Sequence, residues 1–259
     1  MKKLNGNLKD IVSFFTYSLS LIRHSLKLIL NDIFRYREYL KDKSKYMKME
    51  GAEPIEAKNM RVILNEKTST TSIDYHYFYQ DIWAFKKIYE SKCKQHIDVG
   101  SKVDFVGFLS VFTEITFIDI RPLIVYLEKF KSIKGNILSL PYEENSVSSL
   151  SCLHVAEHIG LGRYGDILDP YGTKKAAKEL TRVLAKGGNL YFSLPIGKPR
   201  ICFNAHRVHS TQQILEYFSE LKLIEISGIN DDGVFIKNIE MGTLDSCEFG
   251  CGLFWFTKT

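Results

Sequence analysis

From residue 95 onward, short apolar runs alternate with stretches that carry a helical pattern. Strands and helices that alternate at this length favour a parallel, doubly wound sheet with helices on both faces. Such sheets bind ligands at the carboxyl ends of their strands, near the point where the strand order reverses. The predicted strands are Gln95–Val99, Ile115–Ile118, Val147–Leu153, Asn189–Leu194, Leu223–Ser227 and Leu253–Thr257, and the clearest helices are Thr173–Leu184 and Thr211–Leu221.

The composition supports a globular chain with a sizeable core. Of the 259 residues, 45% are hydrophobic and 25% are charged, which excludes a disordered, collagen-like or multi-span membrane protein. The five cysteines are scattered, so we expect free thiols in a reducing compartment and a cytoplasmic location. Cys247 and Cys251 are spaced C-x3-C, but a zinc site there needs His or carboxylate partners from elsewhere, and two buried thiols are the simpler interpretation.

The positive charge of the chain is concentrated at its start. Residues 1–48 hold eleven Lys and Arg but four Asp and Glu, a net charge of +7, whereas the remainder holds 24 and 26, a net charge of −2. A slightly acidic body without a basic stripe argues against a nucleic-acid partner.

Residues 8–46 interleave apolar residues with Lys and Arg, which predicts one long amphipathic helix. Its uncharged run, Ile11–Ile22, has about 12 residues, fewer than the ~20 that span a membrane, and no signal-peptide cleavage site follows. Two uses stay open: packing on the body or a second copy, and lying on an anionic surface at the inner membrane face. We expect a helical extension with a polar loop over residues 1–71 and an α/β domain over 72–259.

Several predicted strands are followed by residues that suit a nucleoside. Asp98 ends the first strand, and Gly100 opens a turn where the missing Cβ lets a ligand approach the backbone. Asp119 ends the second strand 21 residues after Asp98, a spacing that suits hydrogen bonds to a ribose diol. Asn136 is placed to hold an adenine edge.

Over about residues 90–259 the sequence resembles the class I S-adenosylmethionine-dependent methyltransferases. The matching stretches are HIDVGS at 96–101, ITFIDIRP at 115–122, GNILSLPYEENSVSSLSCLHVAEHI at 135–159 and, most specifically, ELTRVLAKGGNLYFSLP at 179–195. The resemblance implies a Rossmann-like sheet, mostly parallel with one antiparallel strand near the C-terminus, and S-adenosyl-L-methionine as cofactor. The residues that it assigns to the cofactor are Asp98, Gly100, Ser101, Asp119, Ile120, Asn136, Ile137 and Leu138.

The glycine turn departs from that family's pattern. Lys102 and Asp104 stand where glycines are usual, and a lysine ammonium repels a sulfonium unless it points away or pairs with Asp104. Ser148 or Ser149 replaces the acid that is common before the fourth strand. These changes leave open a non-catalytic binding or assembly protein with a degenerate cofactor site.

A narrower resemblance is to an uncharacterised, methyltransferase-like family known as a domain of unknown function. Its matching stretches are HYFYQDIWA at 76–84, DIRPL at 119–123, HVAEHIGLGRYGD at 154–166 and FNAHRVHS at 203–210. Many members are encoded near bacterial surface-polysaccharide genes, so the resemblance implies O-methylation of a sugar or glycan precursor.

His154, Glu157 and His158 form the string H-x-x-E-H, in which both histidines share a face if the segment is helical. One class of zinc peptidase carries this string, so a zinc-dependent hydrolase is the third hypothesis, although a buried strand precedes the string and no third ligand is evident. In a methyltransferase the string lies at the substrate-facing strand end. A histidine suits the base that a hydroxyl acceptor needs.

The candidate catalytic residues are therefore His154, with Glu157 to orient it, and His206, and this mechanism requires no metal. The candidate substrate-binding residues are aromatic, polar or basic and lie in the segments quoted above. They are His158, Arg163, Tyr164, Arg207, Tyr79 and Gln80. We expect a small-molecule or glycan acceptor.

Overall fold

The computed structural model describes residues 12, 15, 16, 19, 22 and 31–259. The chain divides into two compact units, Met1–Ser72 and Ile73–Thr259. Within the described residues, no helix is both long and apolar enough to cross a membrane.

In the first unit, residues 31–46 form a helix, which we call α1. The predicted amphipathic helix is confirmed there, and the five described residues between 12 and 22 are helical as well; the rest of residues 8–30 lies outside the described residues. The apolar side chains of Ile33, Phe34 and Leu40 are exposed to 48%, 64% and 43%. Whether a membrane or a second copy covers them stays a prediction.

The second unit is an α/β domain. Its strands are β1 (Gln95–Val99), β2 (Glu114–Asp119), β3 (Phe130–Lys134), β4 (Val147–Leu153), β5 (Leu184–Ile196), β6 (Arg200–Cys202), β7 (His206–Val208), β8 (Lys222–Ile229), β9 (Phe235–Ile236) and β10 (Gly250–Thr257). Its helices are α2 (Tyr75–Ser91), α3 (Val103–Leu109), α4 (Gly172–Val183), α5 (Thr211–Tyr217) and α6 (Met241–Asp245).

Eight strands form one sheet in the order β3-β2-β1-β4-β5-β10-β8-β9. The strands from β3 to β5 are parallel, and β10 is antiparallel to both β5 and β8. The predicted fold class is confirmed, with the two-residue β9 as a second antiparallel strand. The chain reverses its direction of winding between β1 and β4, so a ligand is expected at their carboxyl ends.

Two apolar clusters pack on opposite faces of this sheet. One contains residues of α2 and α3, such as Trp83 and Phe105, and the other contains residues of α4 and α5, such as Leu180 and Ile214. Side chains alternate between the faces of a strand, which is why Leu253 and Phe254 of β10 belong to different clusters.

Local capping explains where the helices on these faces begin. Asp74 accepts a hydrogen bond from the backbone N–H of Tyr77 at the start of α2. Ser210 forms a reciprocal capping box with Gln213 at the start of α5. The start of α2 is important for function, because its first turn lies at the strand ends described next.

Candidate active site

A polar cavity of about 540 Å³ lies at the carboxyl ends of β1 and β4. Its wall combines the glycine turn after β1, the segment after β4, the first turn of α2 and the start of β7. The lining residues are Asp74, His76, Tyr77, Gly100, Ser101, Lys102, Leu153, His154, Glu157, His158, Arg163, Tyr164, Pro195, His206 and Phe249. The sheet topology therefore brings together residues that are far apart in the sequence.

A smaller cavity of about 90 Å³ adjoins the first and shares Gly100, His154, His158 and Tyr164 with it. The end of β2 supplies its opposite wall. The other lining residues are Val99, Ile118, Asp119, Ile120, Arg121, Gly135, Ile137, Val155 and Ile159. The expected cofactor-binding residues Gly100, Asp119, Ile120 and Ile137 thus face one space.

Gly100 and Asp119 are close neighbours in this smaller cavity. Gly100 has a φ of +70°, and a Cβ at that position would lie 3.1 Å from Val155 Cγ1 and 3.6 Å from Asp119 Oδ2. Asp119 Oδ1 accepts a hydrogen bond from the backbone N–H of Arg121. Its Oδ2 makes no hydrogen bond within the part of the chain that the structure describes, so it is available to a ligand hydroxyl.

Asp98 does not line either cavity, in contrast to the prediction. It is fully buried and accepts hydrogen bonds from Ser101 N, Ser101 Oγ and Ser151 Oγ. Burial raises the pKa of Asp98 to about 7, although these hydrogen bonds oppose the shift. Asp98 can influence a ligand only through Ser101, which does line the larger cavity.

Ser149, one of the residues that replace the family's usual acid, belongs to the same buried network. Its hydroxyl lies 2.7 Å from His96 Nδ1, and Ser151 Oγ lies 2.8 Å from His96 Nε2. Burial lowers the pKa of His96 to about 3, so its ring is neutral. The network stabilises the β1–β4 pair beneath the turn and does not open to solvent.

Of the three residues expected on the adenine side, Ile137 lines the smaller cavity and Asn136 and Leu138 do not. Asn136 is exposed, and its side-chain oxygen accepts a hydrogen bond from the backbone N–H of Leu138. Leu138 lies in a different surface depression, beside Lys178. The Asn136 amide is therefore engaged in a hydrogen bond within its own turn, and Asn136 does not line the cavity.

His154 is held on both ring nitrogens. Nδ1 lies 3.0 Å from Glu157 Oε1, and Nε2 lies 3.3 Å from Cys251 Sγ. Burial alone would lower the pKa of His154, but Cys251 and Glu157 together raise that pKa to about 10. His154 is therefore a cation at neutral pH when it is free of other ligands, and it cannot act as the predicted general base in that form.

The H-x-x-E-H string is not helical across its length, so the expected shared face of the two histidines is wrong. His154 has a φ of 55°, in the left-handed region, and a single 3-10 turn follows at Ala156–His158. His158 donates its Nδ1–H to the carbonyl of Ala205, 2.6 Å away. The two rings instead flank one oxygen of Glu157, at 3.0 Å and 3.5 Å.

Glu157 is the most deeply buried acid of the site, with a side chain that is 1% exposed. Burial alone would raise its pKa, but the hydrogen bond and charge of His154 and the charge of His158 outweigh burial and lower it. Its second oxygen, Oε2, has no hydrogen-bond partner among the described residues. Glu157 is thus a buried carboxylate that orients the histidines around it.

The segment after β4 covers part of both cavities. The Tyr164 ring packs edge-to-face against His158, and the Arg121 guanidinium lies 4.8 Å from the centre of the Tyr164 ring. Arg163 donates to the carbonyl of Ala205. The expected substrate-binding residues His158, Arg163 and Tyr164 therefore lie in the cavity wall.

His206 also lies in the wall of the larger cavity, at the start of β7, with its ring 5.0 Å from that of Phe249. Burial, with the positive charges of neighbouring residues, lowers the pKa of His206. A neutral imidazole facing a polar cavity is the form that a general base requires.

Three of the expected substrate-binding residues have structural roles instead. Arg207 is 7% exposed and donates to the carbonyls of Ile159 and Asp169. Gln80 is fully buried and accepts a hydrogen bond from Ser193 Oγ. Tyr79 stacks on Phe235 outside both cavities.

Sequence reasoning missed the site residues His76, Tyr77 and Cys251. His76 stacks between His154 and Phe249, with ring centres 5.6 Å and 5.3 Å apart. The helical period of α2 offered a signal, because Trp83 and Gln80 share the buried face and positions 76 and 77 lie one turn before them on the same side. Cys251 could not be paired with His154 without knowing that β10 adjoins β5.

Lys102, the departure in the glycine turn, lines the larger cavity. Its ammonium lies 3.7 Å from Asp104 Oδ2 and 5.6 Å from the centre of the Tyr77 ring. The structure thus contains the pairing with Asp104 under which the lysine would repel a sulfonium less.

A groove of about 800 Å³ between α2 and α3 shares Asp74, Tyr77 and Lys102 with the polar cavity. Its other walls are mostly apolar side chains, including Phe78 and Phe108. Three aspartates also line the groove, but no histidine does, whereas His76, His154, His158 and His206 line the polar cavity. The polar cavity is therefore the candidate active site.

Comparison of the sequence with known protein families gives one match. A family described as Caenorhabditis protein of unknown function, DUF268, matches residues 127–234. The expected resemblance to an uncharacterised family is confirmed over this range. No curated protein sequence matches the chain.

Solved structures with a similar fold include methyltransferases. The N-methyltransferase NodS from Bradyrhizobium japonicum WM9, in complex with S-adenosyl-L-homocysteine, is 14% identical, covers 70% of this chain and 86% of its own, and has a TM-score of 0.50. A putative sarcosine dimethylglycine methyltransferase from Galdieria sulphuraria is 13% identical, with the same two coverages and a TM-score of 0.51. The chain has the class I methyltransferase fold. At these identities the likeness extends to the fold alone.

Proposed function

We propose that the chain is an S-adenosylmethionine-dependent methyltransferase that methylates a hydroxyl group, on a sugar or glycan precursor. The observation that carries this proposal is the placement of Gly100 and Asp119 in one cavity that opens beside a second, histidine-lined cavity. A carboxylate at the end of β2 and a glycine turn after β1 are where this fold holds a nucleoside.

The residues present fit the ribose end of the cofactor. Asp119 Oδ2 makes no hydrogen bond among the described residues and can accept one from a ribose hydroxyl, and the absent Cβ of Gly100 avoids crowding between that oxygen and Val155. The cavity that these residues line, on the ribose and adenine side, is small, at about 90 Å³. Arg121 and Tyr164 cover this space, and we infer that they separate when a nucleoside enters.

When bound, the cofactor supplies an electrophilic methyl group. The chain's own residues then have two tasks, which are to hold the acceptor hydroxyl in line and to remove its proton. We assign the proton to Nε2 or Nδ1 of His206, because its ring is neutral and lies in the cavity wall. His206 thus replaces His154, the base predicted from the sequence. His154 instead forms a charged pair with Glu157 in the cavity wall.

The cavity lining supports a polyhydroxyl acceptor. Arg163, Tyr164 and His158 offer hydrogen-bonding groups, and Tyr77 adds a phenol. A small number of convergent polar groups fixes the orientation of a ligand in such a pocket. The choice of a sugar rests on this lining and on the family resemblance.

Isothermal titration calorimetry with S-adenosylhomocysteine tests the proposal. We expect one binding site per chain and a loss of affinity in Asp119→Ala, with Asp104→Ala as the control because Asp104 carries an exposed carboxylate near the same turn. Absence of binding to the wild-type chain would overturn the enzyme proposal.

The narrowness of the adenine-side cavity favours the second candidate, a binding or assembly protein that retains the fold without the cofactor. The same titration separates the two candidates, because only the enzyme needs the nucleoside to enter.

A further inference from the structure

Three residues with metal-ligating side chains converge beside the larger cavity from three separate elements. His76 comes from the first turn of α2, His154 follows β4, and Cys251 lies on β10. One potential ligand atom of each residue lies within 4.8 Å of those of the other two. Sequence reasoning placed neither Cys251 nor His76 beside the H-x-x-E-H string.

The distances suit a tetrahedral ion. Zinc lies about 2.3 Å from a thiolate sulfur and about 2.0 Å from an imidazole nitrogen, so two such ligands are roughly 3.5 Å apart. His154 Nε2 and Cys251 Sγ are 3.3 Å apart. One ring nitrogen of His76 lies within 4.8 Å of both ligand atoms.

The surrounding contacts match those of metal-bound histidines, which hold their second ring nitrogen in a hydrogen bond to a carboxylate or backbone carbonyl. His154 Nδ1 lies 3.0 Å from Glu157 Oε1. The ring of His76 is positioned by stacking between the rings of His154 and Phe249, with centres 5.6 Å and 5.3 Å away.

We propose that His76, His154 and Cys251 bind a zinc ion, with a fourth position open to the 540 Å³ cavity that both histidines line. Two imidazoles and one thiolate suit a borderline-soft metal and not magnesium or calcium, which prefer oxygen ligands. Three protein ligands with an open position are the arrangement of catalytic zinc. The string's own pair, His154 and His158, is not the metal pair.

A cysteine nucleophile activated by His154 and Glu157 is the competing interpretation of the same contacts. Cys251 is fully buried and lines neither cavity, so a substrate carbon cannot reach its sulfur. A cysteine nucleophile activated by His154 and Glu157 would also leave His76 without a role. A small ion needs no such access, because it occupies the space between the three side chains.

The open position gives the metal a chemical role that differs from that of His206. A zinc-bound hydroxyl or thiol loses its proton more readily than a free one, so the ion would hold and polarise an acceptor atom at the inner end of the cavity. The metal site goes beyond the proposed function, because the ligand geometry does not depend on methyl transfer.

Metal binding by the purified full chain tests the proposal directly. The chain is stripped with a chelator, dialysed, and titrated with zinc or with cobalt(II). We expect one tightly held ion per chain, and for cobalt(II) the visible bands of a tetrahedral site together with a thiolate-to-cobalt charge-transfer band. This measurement uses only the wild-type chain, so its result does not depend on whether any variant folds.

Variants then assign the ligands. Glu157→Gln is expected to weaken zinc binding about 10- to 100-fold, and Cys251→Ser and His76→Gln are expected to weaken it further, with the charge-transfer band lost in Cys251→Ser. Cys247→Ser is the matched control, because its thiol lies near Thr243 and outside the group. Circular dichroism confirms that each variant is folded.

Three results would overturn the site. They are a wild-type chain that retains no zinc, a cobalt(II) spectrum without the thiolate band, and zinc affinity in Cys251→Ser equal to that of Cys247→Ser. Zinc-independent, rapid alkylation of Cys251 by iodoacetamide would favour the nucleophile instead. None of these readouts involves S-adenosylmethionine, so failure of the methyltransferase proposal is detected separately.

Discussion

Two sides of the candidate site are built in different ways. The nucleotide side, formed by Gly100 and Asp119, comes from two adjacent parallel strands and the turns after them. The histidine side, formed by His76, His154 and His206 with Glu157 and Cys251, comes from elements at both ends of the domain.

The nucleotide side carries one free carboxylate oxygen and a backbone turn, whereas the histidine side concentrates several buried titratable groups. Perturbed pKa values cluster where chemistry occurs, and here they cluster around Glu157 and His154. The difference teaches that the proposed nucleoside site depends on few residues that the local sequence marks, whereas the histidine side depends on side chains that only the tertiary structure brings together.

The largest effect is expected on the histidine side, from His206→Gln. Loss of a general base lowers kcat by roughly 10²- to 10⁴-fold, while the affinity for S-adenosylhomocysteine stays at the wild-type value because the nucleotide side is intact. Steady-state kinetics and calorimetry on the same preparation measure both. A kcat within tenfold of wild type would assign the base elsewhere.

The pH dependence of kcat is a second test of His206 as the general base. Burial, opposed by Glu157 and reinforced by His158, Arg163 and Arg200, lowers the pKa of His206. The neutral ring is the active form, so kcat is expected to fall only as the pH drops below the ordinary histidine pKa of about 6.5. An acid limb centred above that value would contradict the assignment.

A remote ion pair holds the helix that supplies His76. Glu225 accepts hydrogen bonds from Trp83 and Lys87 of α2, and its side chain is 9% exposed. Removing one partner of a buried pair costs about 3 kcal/mol or more, so Glu225→Gln is expected to lower the free energy of unfolding by about that amount in urea titrations. Glu90→Gln, which breaks an exposed pair with Lys86, should cost less than about 1 kcal/mol.

The difference in the free energy of unfolding between the wild type and Glu225→Gln should depend on pH in a defined direction. Burial alone would raise the pKa of Glu225, but its hydrogen bonds to Lys87, Trp83 and Ser227 lower it. The stabilisation is therefore present above the unfolded glutamate pKa of about 4.3 and is lost as the pH falls through the lower folded value. The gap between wild type and Glu225→Gln should shrink below about pH 4.3, and a constant gap would contradict this explanation.

A smaller effect is expected on the nucleotide side. Asp119→Ala removes a hydrogen bond to a charged group, worth about 1.5 to 3 kcal/mol, so the Kd for S-adenosylhomocysteine should rise about 10- to 100-fold. The free energy of unfolding should fall by roughly 1 kcal/mol, because among the described residues the side chain makes one hydrogen bond, from the backbone N–H of Arg121 to Oδ1. An unchanged Kd would remove Asp119 from the site.

The smallest effect is expected from the Arg121–Tyr164 pair that covers the smaller cavity. Arg121 and Tyr164 form a cation–π pair, which is worth about 0.5 to 1 kcal/mol at an exposed site. If this pair must separate before a nucleoside enters, Tyr164→Ala should tighten binding about two- to fivefold in calorimetry. Tyr126→Ala, at a position 96% exposed, is the control, and weaker binding in Tyr164→Ala would show that the ring is part of the binding surface.

The same contrast explains what could be predicted from the sequence. The strands that end at Val99, Asp119, Leu153 and Ile196 were predictable because each contains a local apolar run followed by a turn. Gly100 and Asp119 were identified for that reason. Whether a side chain such as Asp98 faces a cavity depends on partners like Ser151, which lies 53 residues away.

The histidine side was only half predictable. His154 and Glu157 stood out as a short string, but their protonation depends on Cys251, 97 residues from His154. Arg207 and Gln80 have residue types that suit substrate binding, yet backbone carbonyls and a buried serine satisfy them inside the fold. The short strands β3, β6, β7 and β9 were missed because few apolar residues mark them.

The position of β10 between β5 and β8 has a consequence for synthesis. Chain order and sheet order disagree there, so the ribosome adds the 53 residues between Ile196 and Gly250 before β5 gains its second neighbour. At about 5 to 20 residues per second, this delay lasts roughly 3 to 10 seconds. During that time the nascent chain exposes an apolar strand edge that other chains can pair with, so the interval before β10 emerges is when chaperones are expected to be needed most.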